Sequence, residues 1–147
     1  LDVAIKDIRS TIFELHTMAG SGDVEEVVEE LVGSFTPSLG FAADLQLEGD
    51  LTALSDTLVA DLVAVIREGL SNAARHAQAP SAAVWVSASG TKLEVVVTDT
   101  GSGLRPDGRR SGLANLEQRA VARGGTFALE PVDPTGTRLT WTVPRHG

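Results

Sequence analysis

Arg67-Glu68-Gly69-Leu70-Ser71-Asn72-Ala73-Ala74-Arg75-His76 closes a strongly amphipathic segment. On one side Leu58, Leu62, Val65, Ile66, Leu70 and Ala73 recur at spacings of three and four, the period of a helix that buries one face. On the other, Glu68 and Asn72 stand four apart and stack on one helical face, which Arg75 and His76 extend by another turn. A core has no use for those polar groups. This face is a candidate for a ligand.

C-terminal to this helix, which is expected to run to about Ala77 and to end before Pro80, the period of the apolar residues switches to two. Ala82 to Ala88 and Leu93 to Asp99 read as two strands of a hairpin around Ser89-Gly90-Thr91. A glycine-rich loop follows from Gly101 to Gly112. Leu113, Leu116, Ala120 and Val121 then give a short helix its apolar face, and Gly124-Gly125 stops it. Two further strands, Thr126 to Glu130 and Thr137 to Val143, are joined across Pro134-Thr135-Gly136.

N-terminal to it, Asp56 is a candidate helix cap, and Phe41 to Glu48 alternates as a strand closed by Gly49-Asp50. Before that, Asp23 is placed to cap a helix whose inner face is Val24, Val27, Val28, Leu31 and Val32. Glu25, Glu26, Glu29 and Glu30 form its solvated side, favoured in the first turn by the helix dipole, and Pro37 and Gly40 punctuate its end. Leu1, Ile5, Ile8, Ile12 and Leu15 make a heptad-type seam that either packs on this domain or ends a dimerisation bundle. The chain opens in mid-helix without Met, as expected of a piece of a longer protein. The tally is an α/β (α+β) two-layer sandwich: a mixed sheet of about five strands, helices on one face, and an N-terminal bundle-type helix.

With 147 residues, 42% of them apolar and 22% charged, the chain has the size and composition of a globular domain. A net charge of −8 argues against nonspecific binding to nucleic acid or anionic membrane. No Cys is present, which excludes disulfides and thiolate metal sites and favours a cytoplasmic setting. The longest apolar run, Leu62 to Ile66, is far too short to span a membrane.

Three pieces carry chemistry. The first is the Glu68/Asn72 face. The second is Asp99-Thr100-Gly101-Ser102-Gly103, a carboxylate at a strand end followed by two glycines that let backbone approach a ligand. The third is Gly112-Leu113-Ala114-Asn115, where a loop enters a helix and offers free N–H groups to phosphate oxygens. An Asn carbonyl oxygen is a hard ligand suited to Mg²⁺. Each piece alone is weak, because Asp-x-Gly is commonest as a turn. Asp99-Thr100-Gly101-Ser102 also matches the aspartic-protease triplet, but that chemistry needs a second such triplet, and the sequence has none.

In this order and spacing the pieces resemble the GHKL, or Bergerat-fold, ATPases, and specifically the catalytic domain of sensor histidine kinases. Glu68 to Ala77 resembles the family's N box, Asp99 to Leu104 its first glycine box, and Ser111 to Arg119 its second. Gly136-Thr137 is similar to its closing signature. Asn72-Ala73-Ala74-Arg75-His76-Ala77 followed by Gly112-Leu113-Ala114-Asn115-Leu116 is similar to the NarL-type subfamily, and more narrowly to mycobacterial haem-GAF sensor kinases. The resemblance covers about Thr52 to Pro144.

It implies a Bergerat ATP-binding fold over residues 20–147, preceded over 1–19 by the end of the dimerisation and phosphotransfer helix. Asp99 would read the adenine amine, with Thr137 behind it, while Gly101, Gly103 and Leu104 would shape the purine pocket and lid hinge. Asn72 would ligate Mg²⁺, and Glu68 would orient a water or act as the catalytic base. Arg75 or His76, and the backbone of Gly112 and Leu113, would meet the phosphates; His76 equally fits a cap on the helix end. ATP and Mg²⁺ are the implied cofactors, with haem confined to a sensor domain outside this chain. Implied partners are the protein's own phosphoacceptor domain within a homodimer and a response regulator, without nucleic acid or direct membrane contact. Two features depart from the family pattern. Arg110-Ser111-Gly112 keeps one glycine of the usual Gly-x-Gly, and the Leu104–Ser111 lid is short and basic, with Arg105, Arg109 and Arg110. His16 is followed by Thr17 rather than an acid, unlike the family's phosphoacceptor, and is read as structural; Trp85 and Trp141 are read as sheet core. An anti-sigma-factor-type GHKL serine kinase is the alternative, and a docking domain that has lost nucleotide a third.

Overall fold

The computed structural model describes residues 24–52, 54–75, 81–100, 110–132 and 136–145, with side chains omitted at 75, 110 and 111. The seam helix, His76, Gly101, Gly103, Leu104 and the 104–109 part of the lid lie outside the described residues.

Alternation of apolar residues builds one five-stranded sheet. Its strands are β1 (Asp44–Gly49), β2 (Ala82–Ser89), β3 (Lys92–Asp99), β4 (Thr126–Pro131) and β5 (Thr137–Pro144), in the order β1-β2-β3-β5-β4. β1 and β2 are parallel and every other pair is antiparallel. Val84, Val86, Leu93, Val95, Val97, Leu139, Trp141 and Val143 point to one face and are buried there. All helices with a described apolar face pack on that side, giving the expected two layers.

The helices are α1 (Val24–Ser34), the single turn α2 (Thr36–Leu39), α3 (Asp56–Arg75) and α4 (Arg110–Ala122). α1 buries Val24, Val27, Val28, Leu31 and Val32 and leaves its four glutamates exposed, as expected. Pro37 and Gly40 do not simply end it. They frame α2, with Pro in the first turn, where a missing N–H costs nothing, and Gly40 at φ 86° donating its N–H to Thr36. The first strand starts at Asp44 rather than Phe41, which packs instead against the core.

α3 starts one residue earlier than a cap at Asp56 implies. Ser55 is the cap: its Oγ accepts the Leu58 N–H at 3.2 Å, and its carbonyl accepts the Val59 N–H at 2.9 Å. α3 then buries Leu58, Leu62, Val65, Ile66, Leu70 and Ala73. α4 closes at Gly124 (φ 75°), while Gly125 donates to the Ala120 carbonyl at 2.8 Å. Two apolar assignments need correction. Val121, counted on the inner face of α4, is 66% exposed, because the buried stripe runs through Leu116 and Ala120. Trp85 lies on the outer sheet face, opposite Val96, and its indole N–H donates to Glu48; only Trp141 is core.

Candidate functional site

Connectivity brings the three chemical pieces to one end of the sheet. β1 and β2 are parallel neighbours joined through α3, so α3 runs against them and therefore in the sense of β3. The two elements touch where Gly69 lies over Val97: a Cβ at Gly69 would come within 2.9 Å of the Val97 side chain. From that crossing, one turn along α3 reaches Asn72 and two residues along β3 reach Asp99. Both therefore stand at the same end, about 5–7 Å beyond the crossing.

At that end Asp99 pairs with Thr137, the first residue of β5. Their strand parity matches the buried Val97 and Leu139, so both lie on the helix-covered face, half-buried. Gly136 makes the junction possible. It sits at φ 140°, and a Cβ there would come within 3.1 Å of Thr100 Cα and closer still to the Asp99 carbonyl. Behind Asp99, Thr100 donates its N–H to the Ser81 carbonyl at 3.1 Å, and its Oγ1 accepts the Ser81 N–H at 3.0 Å. The carboxylate thus leaves the sheet from a fixed stem.

The phosphate-type pieces meet on α3 and α4. A Cβ at Gly112 would lie 2.5 Å from Cδ and 2.6 Å from Oε2 of Glu68, so the missing side chain is what admits the carboxylate. Glu68 Oε2 is buried and has no hydrogen-bond partner among the described residues. Such an orphaned acceptor costs about 1–3 kcal/mol or more, so it marks a place where a water or ion shell is needed. Asn72, half-buried, is the next group on the same face of α3. This donor set fits a hydrated Mg²⁺, which takes one or two protein oxygens and the rest from phosphate and water. Among the described residues no cluster of three His, Cys, Asp or Glu could hold a metal by itself.

Glu68, Asn72, Asp99, Gly112, Leu113 and Thr137 are thus gathered at one end of the fold, Leu113 packed against the core at the start of α4. Arg75 ends α3 as backbone only; His76, Gly101, Gly103 and Leu104 cannot be added, as they lie outside the described residues. Two residues escaped the sequence reading. Gly69 sets the height of α3 over the sheet, and its signal was available: a glycine inside a helix costs about 1 kcal/mol and calls for a packing reason. Asp61 receives Arg119 of α4 and Arg123 just past its end, the latter at 2.5 Å, and no pattern in the sequence marks that long-range pairing.

Comparison with known proteins gives the same picture. Residues 57–147 match the family described as histidine kinase-, DNA gyrase B-, and HSP90-like ATPase. The signal transduction histidine-protein kinase/phosphatase UhpB of Salmonella typhimurium is 33% identical over 111 residues, which are 74% of this chain and 22% of that protein. Sensor histidine kinase LiaS of Bacillus subtilis is 28% identical, over 96% of this chain and 40% of its own. The chain therefore spans about a fifth to two fifths of these relatives. Among solved structures, the histidine kinase domain of the Erythrobacter litoralis EL346 blue-light activated histidine kinase superposes with a TM-score of 0.72 at 18% identity, covering 94% of this chain and 72% of that one. By its matching residues the chain belongs to the histidine kinase-, DNA gyrase B- and HSP90-like ATPase family, and the relatives named above are histidine kinases.

Proposed function

We propose that this domain binds Mg-ATP across the end of the sheet and presents the γ-phosphoryl group to a histidine outside this chain. The observation that carries the reading is the orphaned Glu68 carboxylate oxygen, wedged against the first turn of α4 with Asn72 beside it. Asp99 accepts the adenine amine, with the Thr137 hydroxyl as second contact, and its fixed stem selects adenine over guanine. Gly101, Gly103 and Leu104 shape the purine pocket. Backbone N–H groups at Gly112 and Leu113, aided by the helix dipole, and Arg75 or His76 hold phosphate oxygens.

Asn72 and a water held by Glu68 would hold Mg²⁺, which when bound neutralises the charge on the β- and γ-phosphate oxygens. A carboxylate and a phosphate brought to one helix start repel each other, which is why the metal is required. Glu68 orients that water or takes the proton of the attacking group. The remaining work is positioning, which is most of what phosphoryl transfer demands. In the parent protein, a cytoplasmic homodimer, residues 1–19 end the dimerisation helix and a response-regulator Asp accepts the phosphoryl group.

Calorimetric titration with Mg-ATP tests the reading. Wild type is expected to bind, and Asp99→Asn, which loses charge-assisted acceptance, to bind about ten- to a hundredfold more weakly. Identical heats would refute it, and so would no heat at all. Because the acceptor lies elsewhere, the chain incubated alone with γ-labelled ATP is expected to carry no acid-labile phosphate.

A further inference from the structure

α3 and α4 pack antiparallel, and two contacts establish how. Asp61 of α3 meets Arg119 of α4; seven residues further along α3, Glu68 meets Gly112, seven residues earlier on α4. These are two rungs of one seam, about 10 Å apart. The first rung is directional. Asp61 accepts from Arg119 Nη1 with one carboxylate oxygen and from Arg123 Nε with the other, so one acid grips two arginines four residues apart, one on α4 and one just past its end. The Asp61 side chain is only 13% exposed and that of Arg123 17%, so water screens the cluster poorly. The other directional anchor of α4 is the Trp141 indole, which donates to the Leu116 carbonyl at 3.0 Å. Both anchors lie C-terminal to the first turn of α4, one at its midpoint and one at its end. Apolar burial of Leu116 and Ala120 carries no direction and tolerates a slip or roll of the helix. The first turn, where Gly112 and Leu113 stand, takes its position from the anchors behind it.

We propose that the Asp61–Arg119–Arg123 clamp sets the register of α4 on α3 and thereby holds the α4 N-terminal turn against Glu68. Asp61, Arg119 and Arg123 are positioning residues. They act on the phosphate end of the site and leave the Asp99 end, which is built from β3 and β5, untouched. The inference rests on the nucleotide reading above for its functional consequence, but the mechanical part stands without it.

The test pairs two measurements on the whole chain. Amide hydrogen exchange of Asp61→Asn should rise at Leu113 and its neighbours in the first turn of α4, with Val84, Val95 and Trp141 in the sheet unchanged. In binding experiments Mg-ATP should lose about tenfold in affinity, the scale of a residue acting through a neighbour. Adenosine, which has no phosphates, should bind as before, and Asp61→Glu should recover part of the loss. Arg119→Gln, on the more exposed side of the clamp, must show the same split and serves if Asp61→Asn does not fold. Parallel losses for Mg-ATP and adenosine, or unchanged Mg-ATP affinity, would overturn the proposal alone. Wild type that binds neither ligand would overturn the nucleotide reading and this consequence together, while unchanged exchange at the first turn would overturn the mechanical claim by itself.

Discussion

Gly112 separates function from stability at a single atom. The three atoms nearest a Cβ there all belong to the carboxylate end of Glu68, a flexible tip that can rotate away. Gly112→Ala is therefore expected to leave the melting temperature nearly unchanged and to displace Glu68. Phosphoryl transfer in the parent kinase should then fall by about a hundredfold, the low end of what a positioned acid–base group supplies, with ATP affinity largely kept. Gly136→Ala differs, since its Cβ would meet backbone at a φ of 140°. No side chain can yield there, and both stability and adenine binding should suffer. Away from the site, the Asp50 carboxyl is held below the usual carboxylate range, first by the Thr52 hydroxyl and then by the Thr52 N–H at 2.9 Å. A carboxyl with a lowered folded-state pKa stabilises at pH values above its unfolded-state pKa, and that contribution is lost as pH falls through the folded one. NMR titration should show the Asp50 midpoint rising in Thr52→Val.

At the scale of elements, the crossing of α3 over β3 sets two effects against each other. Helix propensity alone says that Gly69→Ala should gain about 1 kcal/mol. The new methyl, however, would press on the Cβ and both Cγ atoms of β-branched Val97, which is buried under the helix. Overpacking of that kind costs about 1–3 kcal/mol, so packing wins. Chemical denaturation is expected to show a net loss, and a gain would mean that α3 sits higher on the sheet than described. The N-terminus of the same helix gives a cleaner case. Ser55→Ala removes the acceptor for the Leu58 N–H and should cost about 1 kcal/mol, whereas Asp56→Ala should cost less. The sequence reading placed the cap at Asp56; the hydrogen bond places it at Ser55.

For the molecule as a whole, the sheet is a scaffold that holds chemistry at one end and, among the described residues, leaves one face bare of helices. Legibility followed range. Apolar periodicity placed α1, α3 and all five strands within a few residues, because burial of one face dictates which residue types recur. The outward turn of Trp85 was not legible: alternation shows that Val84 and Trp85 face opposite ways, but not which face the helices cover. Val121 failed for a related reason, since a short helix with few apolar residues leaves its inner stripe ambiguous.

By itself, then, the sequence determined the pieces: a helix face with Glu68 and Asn72, a strand-end Asp99, a glycine at the start of α4, and the order that marks the family. These are local facts, set by side-chain chemistry and by spacing within one element. Only the tertiary structure decided that Thr137 pairs with Asp99, that Gly112 makes room for Glu68, and that Asp61 holds α4 through two arginines. Those contacts join residues dozens of positions apart. Their geometry depends on how far one helix stands from a sheet and how another is rotated against it, quantities that packing fixes and no single segment contains.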